Sequence, residues 1–235
     1  MRVFEALCAA GAPLSLKDLA RVSGLPASNC HRYCVSFLRT AYFSQDARGR
    51  YDLGPKALQA GLAALSRLDA IAIATEALEQ LVEDTGHTGQ LAIWSERGPL
   101  ALRWLPGRTA VRTSLSTGSI LPLLTSATGR VFLAHLPARQ TGVMASREAM
   151  VGGGDPEVLA GHVRAVGYGS VSGDHIPGLS AISAPILDWY GEAAAAITLV
   201  GTKAGFNAAA IDQLLRAAAV ASERLGWKAS DTATA

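Results

Sequence analysis

Helical and extended patterns follow one another in an informative order along residues 15–54. Apolar residues at helical spacing come first, and the turn-forming residues 23–26 interrupt them. A second helix is predicted over 27–40, and two short extended segments then flank residues 46–49 as a hairpin. Helix, turn, helix and hairpin is the arrangement of a winged helix-turn-helix, in which the second helix enters the major groove of DNA.

The predicted second helix has a polar side and an apolar side. Arg32 can pair with guanine through two hydrogen bonds, and Asn29 can pair with adenine in the same way. His31 either contacts DNA or packs against the first helix, and Ser28 either contacts a phosphate or caps its own helix. The inner face is predicted to consist of Cys30, Tyr33, Cys34, Phe37 and Leu38.

The predicted hairpin carries two further basic residues, Arg48 and Arg50. Either they reach the minor groove or the phosphate backbone, or they belong to a solvated turn. Positive charge is concentrated in the same part of the chain. Residues 1–60 carry eight Lys and Arg and four Asp and Glu, whereas the remaining 175 residues carry 13 Lys and Arg and 15 Asp and Glu. A basic N-terminal segment on a slightly acidic body suits a polyanionic partner for that segment alone.

Residues 55–228 show a mixed pattern of helices and strands. A helix over 55–68 has leucines on one face, and it either connects two domains or packs against a partner chain. The strands beyond it are interspersed with helices, which indicates an α+β fold with an antiparallel sheet covered by helices. The predicted elements are helices over 69–85, 122–136, 156–166 and 207–227, and strands over 89–96, 99–105, 110–115, 168–171, 179–187 and 193–200.

These patterns divide the chain into four parts. Residues 1–54 form the predicted winged helix-turn-helix, 55–68 a linker helix, 69–228 the sheet domain, and 229–235 a small, polar tail that is predicted to be disordered. The first helix is cut short by residues 11–13. Either the natural start lies upstream of Met1, or this helix is simply short.

Composition limits the classes of protein that the chain can represent. Apolar residues make up 49% and charged residues 17%, which allows a sizeable core and argues against disorder over the whole chain. No apolar run reaches the ~18 residues that a membrane span needs, and the N-terminus does not have the pattern of a secretion signal. Cys8, Cys30 and Cys34 have no metal-ligand spacing, which favours plain thiols in a reducing compartment. The chain is therefore predicted to be cytoplasmic, without a membrane partner.

The sequence lacks the common catalytic patterns. It contains no G-x-S-x-G elbow, no H-E-x-x-H pair and no P-loop, and no cysteine follows Cys34. The four histidines beyond residue 60 share no spacing that would suit a metal ion. We therefore predict no enzyme activity, no metal site and no cofactor.

Four segments of the chain together resemble one known family. They are LARVSGLPASNCHRYCVSFLRTAYF, GRYDLGPKALQAG, TGSILPLLTSATGRVFLA and GYGSVSGDHIPGLSAISAPILDWYGEAAAAITLVG. The chain resembles the IclR family of bacterial transcriptional regulators nearly from end to end. This resemblance implies an N-terminal winged helix-turn-helix, a linker helix and a C-terminal GAF-like effector-binding domain. It also implies a homodimer or homotetramer that represses or activates a catabolic operon in response to a small metabolite.

The resemblance also implies the residues of an effector pocket. The chain departs from the family where Ala181 stands in place of a cysteine, and where Thr198 and Val200 stand in place of two serines. These exchanges favour a larger, less polar or aromatic effector. The alternatives are helix capping around 125–129 and ordinary strand core for Ala181 and Val200. The matching positions are Ala127, Thr128, Val171, Ala181, Thr198 and Val200, and two further candidates on the same segments are Asp174 and Ser183.

The predicted function is that of a ligand-responsive transcriptional regulator. Its N-terminal domain is expected to bind double-stranded operator DNA, and its C-terminal domain is expected to bind a small organic effector such as an aromatic or apolar acid. The operator sequence cannot be transferred, because the second helix begins Ala27-Ser28-Asn29 where the family typically has a basic residue before Ser-Thr. The alternative is a GAF-type small-molecule-binding protein or enzyme whose N-terminal segment does not bind DNA.

Overall fold

The chain folds into two units that divide between Leu68 and Asp69. Each unit has its own hydrophobic core. The predicted tail, 229–235, lies outside the described residues. The structure is a computed structural model and describes residues 2–65, 68–108, 111, 113, 115–173, 176, 178–202 and 206–228.

The N-terminal unit begins with three helices and a two-stranded hairpin. Ser15 caps the second helix, because its hydroxyl accepts a hydrogen bond from the backbone amide of Asp18. The helix ends at Gly24 in the left-handed conformation, which makes the turn to the third helix. The predicted winged helix-turn-helix is confirmed. Its elements are α1 (Arg2–Ala10), α2 (Leu16–Ser23), α3 (Ala27–Arg39), β1 (Phe43–Gln45) and β2 (Tyr51–Leu53).

The core of this unit confirms most of the predicted inner face of α3 and corrects one residue. Cys30 and Cys34 are fully buried, and Phe37 packs against the same cluster. Burial raises the pKa of the Cys34 thiol to about 12, so this cysteine is a packing group at neutral pH. Tyr33, however, is 51% exposed, and its assignment to the core is wrong. It lies one helical turn after Asn29, on the edge of α3 that faces solvent.

One further helix completes the N-terminal unit. This helix, α4 (Pro55–Leu65), covers most of the segment that was predicted as a linker helix, whose residues 66 and 67 lie outside the described part of the chain. Leu58 and Leu62 are one turn apart on α4 and are 64% and 56% exposed. The apolar face of α4 is therefore open in the single chain.

The C-terminal unit is built on a five-stranded antiparallel sheet with the order β4-β3-β7-β6-β5. Five of the six strands that the sequence predicts in this region are present, with ends that differ by at most two residues. This result confirms the α+β class. The strands are β3 (Thr88–Ser95), β4 (Gly98–Leu105), β5 (Gly169–Ser172), β6 (Leu179–Leu187) and β7 (Ala193–Thr202).

Helices cover both faces of this sheet. α5 and α9 lie on one face, and α6 lies on the other with α7 and α8 packed beyond it. α5 approaches β3 closely at Gly89, where a side chain would collide with Leu78 and Val82. The helices are α5 (Ala70–Thr85), α6 (Ala127–His135), α7 (Ala138–Met150), α8 (Pro156–Val166) and α9 (Ala208–Arg224).

The sequence analysis missed α7 and misplaced the start of α6. The predicted helix over 122–136 begins only at Ala127, because a turn over 123–125 precedes the capping residue Ser126. α7 buries only Thr141 and Ala145, so it has no stripe of large apolar residues that periodicity could detect.

The strand predicted over 110–115 is not supported. The structure describes Val111, Thr113 and Leu115 of this stretch, and none of these three belongs to a strand. The other three positions lie outside the described residues.

Candidate DNA-binding face and effector cavity

The outward side of α3 presents polar side chains over its first two turns. Ser28, Asn29, His31 and Arg32 are all exposed, whereas Cys30 between them is buried. The residue at the cap position of α3 is Pro26, and α3 has no side-chain cap. Ser28 is thus the second residue of the helix and does not cap it, which leaves its hydroxyl on the outward side.

Tyr33 extends this outward side by one turn beyond Asn29. Sequence reasoning missed it as a surface residue because its aromatic ring was counted with the core. Its position next to the apolar stripe of Cys30, Cys34 and Phe37 could have indicated that it lies at the margin of that stripe.

A carboxylate organises the tip of the hairpin. The Asp46 carboxylate accepts hydrogen bonds from the backbone amides of Arg48 and Arg50, each at 2.9 Å, and from Nε of Arg50 at 2.7 Å. The hydrogen bond from the Arg50 amide is the main reason that the pKa of Asp46 lies below its usual value. The Arg50 guanidinium is therefore held against Asp46, while the Arg48 side chain is exposed on the loop.

Strand register brings four functional candidates into one row across the C-terminal sheet. Gln90 of β3 lies opposite Trp104 of β4 on one side and opposite Thr198 of β7 on the other, and Thr198 lies opposite Ser183 of β6. Side chains alternate along a strand, so this row shares the face of the sheet that α6 covers. Neither Gln90 nor Trp104 was predicted, because their position depends on the order of the strands.

Hydroxyl groups connect this row to α6. Ser183 donates to the carbonyl oxygen of Ile197 at 3.2 Å, and Thr198 donates to Ser183 at 2.8 Å. Thr198 has then used its proton, so Thr128 of α6 is the donor in the 2.8 Å hydrogen bond between the two threonines. The Thr128 hydroxyl also lies 3.3 Å from Oε1 of Gln90. All four polar side chains are buried.

The start of α6 supplies backbone amides next to these hydroxyls. Ser126 caps the helix, and its hydroxyl accepts a hydrogen bond from the amide of Gly129. The amides of Ala127 and Thr128 precede it in the first turn and have no acceptor among the described residues. Such amides can receive an anion or a carbonyl oxygen.

A cavity lies between the start of α6 and the sheet. The empty space in and at the mouth of this cavity is about 450 Å³, a figure that includes open solvent. Six of the eight predicted effector residues line it, and these are Ala127, Thr128, Val171, Ala181, Thr198 and Val200. Ser183 is fully buried behind Thr198 and does not line the cavity, and Asp174 lies outside the described residues. Eight further residues of the described lining were not predicted, and these are Gln90, Trp104, Thr113, Leu115, Leu121, Ile176, Leu179 and Ser180.

Two charged residues fix the backbone around the cavity. The Glu148 carboxylate of α7 accepts hydrogen bonds from the amides of Leu123 and Leu124, each at 2.8 Å. Arg130 of α6 donates to the carbonyl oxygens of Leu124 and Ser170, and so joins the turn before α6 to β5. The walls of the cavity are thus held in place by groups that do not line it.

The described ranges show neither a metal-binding cluster nor a membrane span. No group of three or more His, Cys, Asp or Glu that could hold a metal ion occurs among those residues. No helix in the described part of the chain has the length and hydropathy of a membrane span.

Two family models together match nearly the whole chain. The model described as the bacterial transcriptional regulator IclR C-terminal matches residues 62–227, and that of the IclR helix-turn-helix domain matches residues 1–47. The chain belongs to the IclR family. Members of this family are ligand-responsive transcriptional regulators of catabolic operons, so the predicted function is confirmed and the alternative without DNA binding is not favoured.

Individual IclR-family relatives agree with this assignment. The HTH-type transcriptional regulator KipR of Bacillus subtilis is 29% identical over 203 residues, which cover 83% of this chain and 81% of KipR. The transcriptional repressor IclR of Escherichia coli is 24% identical over 212 residues, which cover 86% of this chain and 77% of that protein. The crystal structure of HmgR from Pseudomonas aeruginosa is 35% identical and covers 97% of both chains with a TM-score of 0.85.

Proposed function

We propose that this regulator binds its operator through the outward side of α3 and through the hairpin. The observation that carries the proposal is the exposure of Ser28, Asn29, His31 and Arg32 over the buried Cys30 and Cys34. In helix-turn-helix proteins, base contacts come from the first turns of the second helix. Arg48 and Arg50 then contact the DNA backbone or the minor groove beside the site that α3 occupies.

The proposed effector is a small organic acid with an apolar or aromatic body. Its acid group meets the free amides of Ala127 and Thr128, and its body fills the space between Trp104, Val171 and Val200. The described lining residues include no charged side chain, so the amides at the start of α6 are the groups in the described lining that suit an anion. An IclR homologue from Microbacterium hydrocarbonoxydans, 22% identical, was crystallised with 4-hydroxybenzoate, and this compound supplies a chemical class to test.

The described lining of the cavity supports binding without catalysis. It contains no titratable side chain, so it offers no general acid, general base or nucleophilic carboxylate or thiol. We therefore propose that the protein does not turn its ligand over. As a DNA-binding regulator it is expected to act in the cytoplasm.

The proposed assembly is a homodimer or homotetramer in which α4 contributes to the contact between copies. Leu58 and Leu62 form an exposed apolar pair on a helix with few charges, and a second copy of the same helix would cover it. Two copies would supply two recognition helices for an operator with two half-sites.

The test uses the full chain and a labelled DNA fragment from upstream of its own coding sequence. Fluorescence anisotropy is expected to show binding that is specific to this fragment, and benzoate or a hydroxybenzoate is expected to change the apparent Kd. An unrelated fragment of equal length and base composition is the control. Equal affinity for the two fragments would contradict the operator proposal, and an unchanged Kd with every bound acid would contradict the effector proposal.

A further inference from the structure

Gln90 is a buried polar side chain with hydrogen-bonding capacity that the described protein does not use. It is 2% exposed and lines the cavity, and its Nε2 has no hydrogen-bond partner among the described residues. A buried amide without partners is costly, and most buried polar groups are paired. Its neighbours in the same row differ, because the hydroxyl groups of Thr198 and Ser183 each donate a hydrogen bond within the protein.

The 3.3 Å contact between Thr128 and Gln90 decides which polar atoms of the amide remain for the cavity. The Thr128 proton goes to Thr198, so the Thr128 oxygen can only accept, and the amide end that suits it is Nε2. With the amide turned in this way, Oε1 and the second N–H bond of Nε2 remain for the cavity. A ligand hydroxyl group suits these atoms, because it can donate to Oε1 or accept from Nε2.

The position of Gln90 indicates where a ligand hydroxyl group would lie relative to the acid group of the same ligand. Gln90 contacts the Thr128 side chain, and the Thr128 amide is one of the two free amides at the start of α6. Trp104 lies opposite Gln90 in the strand register and offers a flat apolar wall on the other side. A ligand whose acid group meets α6 therefore passes within reach of Gln90 along the wall that Trp104 forms.

We infer that Gln90 selects effectors that carry a hydroxyl group in addition to their acid group. This inference rests on the proposed function of the cavity and adds the residue that discriminates among acids. A site that pairs a ligand hydroxyl rejects the analogue without it, because its own polar group then stays buried and unpaired. The expected preference for the hydroxylated acid is about 10- to 100-fold in Kd, the size of one such hydrogen bond.

The experiment compares benzoate with 2-, 3- and 4-hydroxybenzoate by isothermal titration calorimetry on the full chain. At least one hydroxybenzoate is expected to bind wild type about 10-fold or more tightly than benzoate. Gln90→Met keeps the length of the side chain and removes its polar atoms. It is expected to bring that ratio to within about 3-fold, because the polar atoms that distinguish the two acids are gone. Gln213→Met makes the same exchange on α9 outside the cavity and is expected to keep the wild-type ratio.

The possible outcomes separate the two proposals. If no acid of the four binds wild type, the acid-binding part of the proposed function fails and this inference fails with it. If the acids bind wild type with equal affinity, or if Gln90→Met keeps the preference, only the role of Gln90 is overturned.

A second measurement covers the case in which Gln90→Met does not fold. In wild type, the side-chain amide protons of Gln90 are expected to shift in the NMR spectrum with the preferred hydroxybenzoate and less with benzoate. Equal shifts with the two acids would overturn the inference.

Discussion

The two units use polar side chains in opposite ways. On α3 the polar residues Ser28, Asn29, His31 and Arg32 are exposed, so their hydrogen-bonding groups face water. At the cavity wall, Thr128 and Thr198 are buried, with Ser183 behind Thr198, and the three hydroxyl groups are joined by a chain of hydrogen bonds. A substitution among the exposed polar residues of α3 should therefore change DNA binding alone, whereas a substitution around the cavity should also change the stability of the fold.

The largest effect on stability is expected at Glu148, whose carboxylate holds the backbone next to the cavity. Glu148→Leu leaves the amides of Leu123 and Leu124 buried without an acceptor, and it should lower the free energy of unfolding by about 2–4 kcal/mol. Urea unfolding measures this loss. Glu157→Leu on the exposed start of α8 is the control and should change stability by no more than about 0.5 kcal/mol. If the Glu148→Leu protein were as stable as wild type, the claim that substitutions around the cavity lower the stability of the fold would be wrong.

The second effect is expected at Arg32 and tests the claim that exposed residues of α3 change DNA binding without changing stability. Arg32→Ala should weaken specific DNA binding by about 1–3 kcal/mol, the size of one good base contact, and leave the unfolding midpoint unchanged. Anisotropy titrations on the operator and on unrelated DNA measure the specificity. Arg39→Ala, at the far end of α3, should weaken binding to both DNAs equally. Retention of full specificity in Arg32→Ala would remove this residue from the recognition set.

The smallest effect is expected at the hairpin. Arg48→Ala should reduce the slope of log K against log[salt] by about one, because one phosphate contact is lost. Arg50→Ala should reduce it less, since the Arg50 guanidinium is already held by Asp46 at 2.7 Å. Titrations at several salt concentrations compare the two variants. An equal reduction for both would show that DNA displaces Asp46 from Arg50.

The N-terminal unit could be predicted closely from the sequence because its structure is local. Apolar spacing defines α2 and α3, and the turn at Gly24 has a recognisable composition. Tyr33 was assigned wrongly because spacing alone does not fix the width of a buried stripe. Whether Ser28, Asn29, His31 and Arg32 contact DNA stays a prediction.

The cavity was only partly predictable because it depends on contacts between distant segments. The strands were recognised individually, but the order β4-β3-β7-β6 decides that Trp104 and Gln90 join Thr198. Pro122 suggested that a helix begins there, but α6 begins at Ala127. Ser126 caps this helix, and the sequence offers both residues as possible starts. The predicted pocket residues came from the family resemblance, and strand periodicity by itself would have assigned Ala181 and Val200 to ordinary core.

The close approach of β3 and α5 at Gly89 has a mechanical consequence. Gly89 and Gln90 are consecutive residues, so they point to opposite faces of the sheet, one towards α5 and the other into the cavity. Because Gly89 has no side chain, the backbone of β3 lies directly against the side chains of Leu78 and Val82, and such close packing transmits displacements. A displacement of β3 by a bound molecule would thus press directly on α5, and the first residue of α5 follows directly after Asp69, where the chain enters the C-terminal unit.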